Sequence, residues 1–465
     1  MRQPTHGLLL YVSASKFNSR RHCSRVSALA ELPGIQPYEQ LAKNAGSSRL
    51  TRHFIDLARL HEQLNARRRD KPTSTMARLA VATTALCAHA LAPTPLRTRR
   101  TTVKMTATVA PPSLEVGAQG LDWPNIGFEY RPTRSFVHYR YRNGEWDGGA
   151  LEPAGLDATV PVSIGATALH YGQSLFEGLK AFACKDGSVR LFRPTANAAR
   201  MARGAARTLM EAPDEALFVE ACSKVVRENL DYVPPYGSGG ALYIRPLLYG
   251  AGPRIGLQPS DAYDFLVLAT PVGDYYKGGL GKPVKACVVE EYDRAAPRGV
   301  GSVKLAGNYA PDLKPNTEAK QSGYPIGLYL DAGSRTYVEE FSTSNFVGIC
   351  ADTGTYITPQ SDAILPSITN DSLMKLAERS GMTTERRPVA FDEIASGKFS
   401  EVAACGTAVV LTPVGSISRN GEDYVLDHNT EPGPTCLDLY TRLTDIQRGD
   451  APDEDGWTHV VVPPS

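Results

Sequence analysis

No apolar run in this 465-residue chain reaches the roughly 18 residues that a membrane-spanning helix needs, so no membrane span is expected. Cysteine is sparse and scattered. The eight residues (Cys23, Cys87, Cys184, Cys222, Cys287, Cys350, Cys405 and Cys436) form no C-x-x-C pair, which argues against a zinc ribbon or a dithiol redox motif. With 42% hydrophobic residues a chain of this length can bury a large core without disulfide or metal staples. Reduced thiols and no bound metal are therefore expected. Nucleotide-binding fingerprints are missing as well. The Gly-rich stretch from Tyr236 to Gly252 contains neither G-x-x-x-x-G-K-[ST] nor a G-x-G-x-x-G opening a helix. Past the leader there is no G-x-S-x-G, and no internal repeat is visible.

Charge is balanced overall but not along the chain. Residues 1–105 hold 18 Lys/Arg against 5 Asp/Glu, a net +13, and the total is +1, so the remainder carries −12. Such an acidic remainder offers no nucleic-acid surface. Residues 1–115 are rich in Arg, Ser, Thr and Ala with no sustained strand pattern, and they are expected to be a targeting leader. Met76 opens a leader complete in itself: a short apolar run with small residues, then Arg97, Arg99 and Arg100 in an acid-free, hydroxyl-rich stretch. A signal followed by a transit segment resembles the bipartite leaders of complex plastids. A mitochondrial or simple plastid presequence is the alternative, and translation starting at Met76 is another open possibility.

From Leu121 onward, β-rich runs alternate with helical stretches. Strands are expected at Ser135–Tyr141, Val189–Phe192, Ala241–Ile244 and Tyr263–Ala269, with helices at Thr195–Met210 and Glu215–Asn229. The Gly/Pro-rich break from Pro271 to Lys282 reads as a linker. Beyond it, strands are expected at Lys285–Glu290, Ile326–Asp331, Tyr337–Glu340, Phe346–Ala351 and Glu401–Ala404, with helices at Asn308–Gln321 and Thr369–Gly381. This pattern predicts an α/β (α+β) protein of two mixed domains, 121–270 and 283–445, with a tail at 446–465.

Several local features suit an anionic ligand, each weakly. In L-F-R-P-T-A-N-A-A-R (Leu191–Arg200), Pro194 opens a helix that carries Arg200, although an Arg there is more often a solvated charge. Leu365–Asn370 is a turn into a helix, whose free N–H groups favour phosphate. Cys405-Gly406-Thr407-Ala408 follows a strand and lets a ligand approach the backbone closely.

Together with T-A-L-H-Y-G-Q-S-L-F-E-G-L-K-A-F (Thr167–Phe182), Y-I-R-P-L-L-Y-G (Tyr243–Gly250), E-Y-D-R-A-A-P-R-G (Glu291–Gly299), V-K-L-A-G-N-Y-A (Val303–Ala310), E-E-F-S-T-S-N-F (Glu339–Phe346) and A-C-G-T-A (Ala404–Ala408), these segments form an ordered set. Over about 290 residues, from Ile126 to Ile417, the chain resembles the branched-chain aminotransferases of the fold-type IV pyridoxal-phosphate class.

The resemblance implies two fold-type IV domains, bound pyridoxal 5'-phosphate, a homodimer, and amino transfer between leucine, isoleucine or valine and 2-oxoglutarate. It makes Lys304 the catalytic lysine, which holds the cofactor's aldehyde and then moves the substrate's α-proton. Counting back from Asn345, Glu340 rather than its neighbour Glu339 takes the family position that would hold the ring nitrogen, and alternation along a strand agrees that only one of the two can face the site. Tyr309 would bind the ring oxygen. Arg200, the amides of Ile368 and Thr369 and the Thr407 hydroxyl would hold the phosphate. The substrate carboxylate would meet the amides of Thr407 and Ala408, near Tyr171 and Arg245. Its side chain would fill a pocket made by Phe128, Tyr243 and Tyr275, with Ile255 and Leu257 supplied by the second subunit. Two departures stand out. Val409 and Thr412 replace the C-x-x-C of mammalian-type relatives, and Asn370 stands where many members carry Lys or Arg. A D-amino-acid transaminase, an aminodeoxychorismate lyase and an inactive homologue are the competing readings.

Overall fold

The computed structural model describes residues 114–273 and 279–464, all within one compact unit, Val109–Ser465. The leader and Tyr275 lie outside the described residues. Two nine-stranded sheets carry the architecture.

The first sheet uses β1 (Ser135–Arg142), β2 (Glu145–Trp146), β3 (Ala150–Pro153), β4 (Ser174–Phe176), β5 (Leu179–Ala183), β6 (Val189–Phe192), β7 (Ala241–Gly250) and β8 (Tyr263–Val272). Helices α1 (Thr167–Tyr171), α2 (Pro194–Thr208) and α3 (Glu215–Glu228) are interspersed. The central pair β7–β8 is a ten-residue antiparallel ladder, from Ala241 opposite Val272 to Gly250 opposite Tyr263. β8 is longer than its expected span and takes up the start of the Pro271–Lys282 break. Its inward residues Phe265 and Val267 pack with Phe218, Val225 and Val226 of α3 in one apolar core. Asp214 caps that helix through the Leu217 amide, which fixes where it begins.

The second sheet contains β9 (Val284–Val288), β10 (Ile326–Leu330), β11 (Val338–Phe341), β12 (Ser344–Cys350), β13 (Tyr356–Pro359), β14 (Thr384–Arg387), β15 (Phe399–Gly406), β16 (Val410–Arg419) and β17 (Glu422–Val425). Helices α4 (Leu313–Gln321), α5 (Ile368–Arg379), α6 (Phe391–Ala395) and α7 (Pro434–Arg448) surround it. β11 pairs with both β10 and β12, so the path β11-β10-β9-β16-β15-β12 closes on itself. The result is a small barrel filled by Val288, Leu328, Phe341, Phe346, Val402 and Val414. Closure removes the exposed strand edges that an open sheet would present.

The expected tail holds a strand. β18 (Thr458–Val462) returns to the first sheet and pairs antiparallel with β6, Thr458 opposite Phe192. Trp457 drives this return: it is buried and meets Phe192 edge-on at 5.8 Å. Among the described residues six cysteines are free, no carboxylate, His or Cys cluster could hold a metal, and no helix is long and apolar enough to cross a membrane.

Candidate active site

Lys304 lies in the loop before a 3-10 turn, Ala306–Asn308. Its position is set by backbone. The Phe176 N–H of β4 donates to the Lys304 carbonyl at 3.1 Å, and the Asn308 side chain donates to the carbonyls of Val300 and Val303 at 2.8 and 2.9 Å. Asn308 of the G-N-Y motif thus staples the loop that presents the lysine. The amine donates to the Tyr309 hydroxyl at 3.1 Å. It also stands 4.6 Å from the centre of the Phe176 ring.

Phe176 organises the rest of the wall. Its ring meets Tyr309 edge-on at 4.9 Å and carries the Arg245 guanidinium 4.8 Å from its centre. Two cations thus share one aromatic ring, which favours each through its negative face. Arg245 also donates to the Tyr243 hydroxyl at 3.2 Å, and its Nε is buried without a partner among the described residues. Phe128 closes on Tyr243 edge-on at 5.1 Å. Gly178 is required here, since a Cβ at that position would collide with the Tyr243 hydroxyl. The structure therefore brings Lys304, Tyr309, Arg245, Tyr243 and Phe128 together.

Arg200 is buried, with Nε and Nη2 on the two oxygens of Glu177 at 2.8 and 2.6 Å and Nη1 on the Pro366 carbonyl at 3.0 Å. Glu177 is fully buried and takes a third hydrogen bond from Asn197 at 2.8 Å. Burial works against the charged guanidinium, but Glu177 holds the Arg200 pKa above its ordinary value. This fork fixes the plane of the guanidinium. α5 begins beside it, with the Ser367 hydroxyl accepting from the Asn370 N–H at 3.2 Å. The N–H groups of Ile368 and Thr369, in the first turn, have no carbonyl partner within the helix. Ile368, Thr369 and Thr407 line one cavity with Asn197 and Lys180. Lys180 donates to the Ala408 carbonyl at 2.9 Å and so anchors the Gly406–Ala408 loop.

Glu340 and Glu339 are both buried. The register of β10 against β11 shifts between Leu328–Phe341 and Leu330–Val338, which puts the two glutamates in a β-bulge. Simple alternation therefore does not separate them. The bulge re-aims the side chains instead. Glu340 accepts from the Leu365 N–H at 2.9 Å and from Asn345 at 3.0 Å, and pairs with Arg294 at 2.5 Å. Burial pushes its pKa up; Arg294, the Leu365 amide, Asn345 and Lys304 oppose that without cancelling it. Glu339 instead accepts from Ser361 at 3.1 Å, and burial raises its pKa to about 7. Asn370 continues the Glu340 network. Its amide donates to Asn345 and Thr358 at 3.3 and 2.9 Å, and its carbonyl accepts from Tyr356 at 2.8 Å.

Three of the expected residues form a separate group. The Tyr171 hydroxyl donates to the Ile255 carbonyl, and Ile255 and Leu257 are 71% and 83% exposed. The sequence reading passed over Phe176, Glu177, Lys180, Asn345 and Arg294 as site residues. All five sit inside the quoted motifs, and a charged residue within an apolar run, as in F-E-G-L-K, was the available signal.

An amine backed by aromatic rings, a buried carboxylate held by an arginine, and a helix start beside a fixed guanidinium make a donor set that fits a phosphorylated pyridine aldehyde. Residues 174–417 match the family model for amino-transferase class IV. The chain belongs to the class IV aminotransferases. A branched-chain-amino-acid aminotransferase of Haemophilus influenzae is 47% identical over 343 residues, covering 72% of this chain and 98% of the relative. The chloroplastic branched-chain-amino-acid aminotransferase 5 of Arabidopsis thaliana is 42% identical, covering 73% and 80%. Among solved structures, the T.th. branched-chain amino acid aminotransferase with pyridoxamine 5'-phosphate superposes with a TM-score of 0.58 at 25% identity, covering 72% of this chain and all of that one. The mixed α/β architecture is that of fold-type IV, and the cofactor of this class IV aminotransferase is pyridoxal phosphate.

Proposed function

We propose that this class IV aminotransferase reversibly moves the amino group of leucine, isoleucine or valine to 2-oxoglutarate. The observation that carries the reading is the Lys304 amine, 3.1 Å from Tyr309 and set against the Phe176 ring, which also carries a second cation, Arg245.

Pyridoxal phosphate, when bound, supplies the electron sink that lets a substrate Cα–H bond break. Lys304 would hold the cofactor's aldehyde carbon, and its Nζ would take and return the substrate's α-proton. Tyr309 accepts a hydrogen bond from that amine and would also bind the cofactor's ring oxygen. Arg200, the Ile368 and Thr369 amides and the Thr407 hydroxyl would hold the phosphate, with Glu177 fixing the Arg200 guanidinium. Glu340 would hold the ring nitrogen. The Thr407 and Ala408 amides receive the substrate carboxylate, and Lys180 anchors the loop that carries them. Phe128 and Tyr243 would wall a dry pocket for a branched side chain. Arg245 and the Tyr243 hydroxyl would give it polar reach for glutamate.

The exposed Ile255–Leu257 pair supports a homodimer in which each chain lends these residues to its partner's pocket. The basic leader, together with a chloroplastic relative, supports import into a plastid, with the mitochondrion as the alternative. Purified residues 106–465 assayed with 2-oxoglutarate against a panel of amino donors test the substrate class. Leucine, isoleucine and valine are expected to lead. A D-amino acid as best donor, or no turnover with all three, refutes the proposal.

A further inference from the structure

We infer that Arg294 is a positioning residue of the reaction, its guanidinium fixing the Glu340 carboxylate in place as an anion. The inference rests on the reading that Glu340 serves the cofactor ring. It also gives a purpose to the E-Y-D-R-A-A-P segment, which the proposed mechanism leaves idle.

Three facts point to it. The Arg294 side chain is buried and its Nη2 lies 2.5 Å from Glu340 Oε1. The same nitrogen donates to the Gly301 carbonyl at 3.0 Å and to the Ala363 carbonyl. Gly301 precedes the lysine loop and Ala363 precedes the start of α5, so one side chain ties together the segments that bear the amine, the carboxylate and the helix N-terminus. These segments press tightly: a Cβ on Gly301 would collide with the Ala363 carbonyl. A surface charge would not be built into such a joint.

The chemistry explains the need. A carboxyl group facing a pyridine nitrogen shares one proton with it. The pair is either a neutral acid with a neutral ring or a carboxylate with a pyridinium, and only the second withdraws electrons strongly. Burial alone favours the neutral pair. A fixed cation on Glu340 Oε1 shifts that balance toward the ion pair at no cost in proton count. Lys304 favours the Glu340 anion from the lysine loop, while Glu340 in turn pushes up the pKa of Glu339 on its own strand and of the Cys405 thiol on β15. Asp312, on the Arg294 side, is hydrogen-bonded by Tyr329. Of these neighbours only Arg294 is an ion-pair partner of Glu340.

The test compares holoenzymes carrying R294M, R294K, E340Q and R294M/E340Q. It reads kcat and KM for leucine, together with the dissociation constants of pyridoxal phosphate and of 1-deazapyridoxal phosphate, which lacks the ring nitrogen. R294M is expected to lower kcat on the order of 100-fold, the usual effect of losing an electrostatic partner, with KM within a few-fold. It should weaken pyridoxal phosphate about tenfold while leaving the deaza analogue nearly unchanged, and R294K should recover part of both losses. The double variant should match E340Q. Equal weakening of both cofactors, or a double variant at least tenfold worse than E340Q, overturns the inference and makes Arg294 a packing residue. If R294M does not fold, the comparison of the double variant with E340Q decides alone. An active E340Q refutes the reading of Glu340 itself, whereas an inactive E340Q with an unaffected R294M refutes only the role of Arg294.

Discussion

Replacing Glu339 with glutamine should make the enzyme more stable in alkaline solution while leaving catalysis almost untouched. Glu339 is 3% exposed, one of its oxygens is buried without a partner among the described residues, and burial lifts its pKa to about 7. Arg294 opposes this rise, while Glu340 and Asp331 add to it. The folded chain therefore keeps the proton up to about pH 7, and the unfolded chain releases it near the ordinary 4.5. Between those values the folded state binds more protons. The contribution to stability is complete below about pH 4.5 and is lost as pH rises through 7. The gap from 4.5 to about 7, at about 1.36 kcal/mol per pH unit, amounts to about 3 kcal/mol. In E339Q the amide oxygen still accepts from Ser361, and nothing titrates. Urea unfolding of both proteins from about pH 5 to about pH 8.5 should show E339Q gaining up to about 3 kcal/mol over the parent as pH rises. The kcat for leucine should stay within about threefold. A stability difference that is flat with pH refutes the burial argument. A collapse of kcat shows that the bulge aims Glu339, rather than Glu340, at the cofactor.

Lys304→Ala should abolish turnover and the visible absorption of bound cofactor together, and retention of more than about one per cent of activity would exclude Lys304 as the reactive amine. Ile255→Asp with Leu257→Asp should weaken dimerisation 100-fold or more, since burying each side chain is worth about 2 kcal/mol, and should raise KM for leucine. Analytical ultracentrifugation that finds a monomer with unchanged kcat/KM would show that the site is completed within one chain. A chain begun at Met105 should fold with full activity, because the basic leader contributes no strand pattern. Failure of that chain to fold would give the leader a structural part.

The sequence alone was sufficient for the chemistry that depends on short spacing. Lys304 and Tyr309 are five residues apart and meet through one turn, so their hydrogen bond follows from the K-L-A-G-N-Y string and its Asn308 staple. The start of α5 was legible for the same reason, since Ser367 caps locally. β10 and β12, buried along their whole length without alternation, were still legible as short apolar runs, whereas β16, with Pro413 and Gly415 inside it, was not read as a strand. Closure of the barrel and the return of β18 to β6 depend on pairing between distant segments. The same holds within the site. Glu177 on Arg200, Phe176 against both Lys304 and Arg245, and Arg294 on Glu340 each join residues that lie apart in the chain. A buried charge requires a partner, and a sequence can show that one is needed. Which residue answers depends on the packing that brings two loops and a bulged strand to the same point.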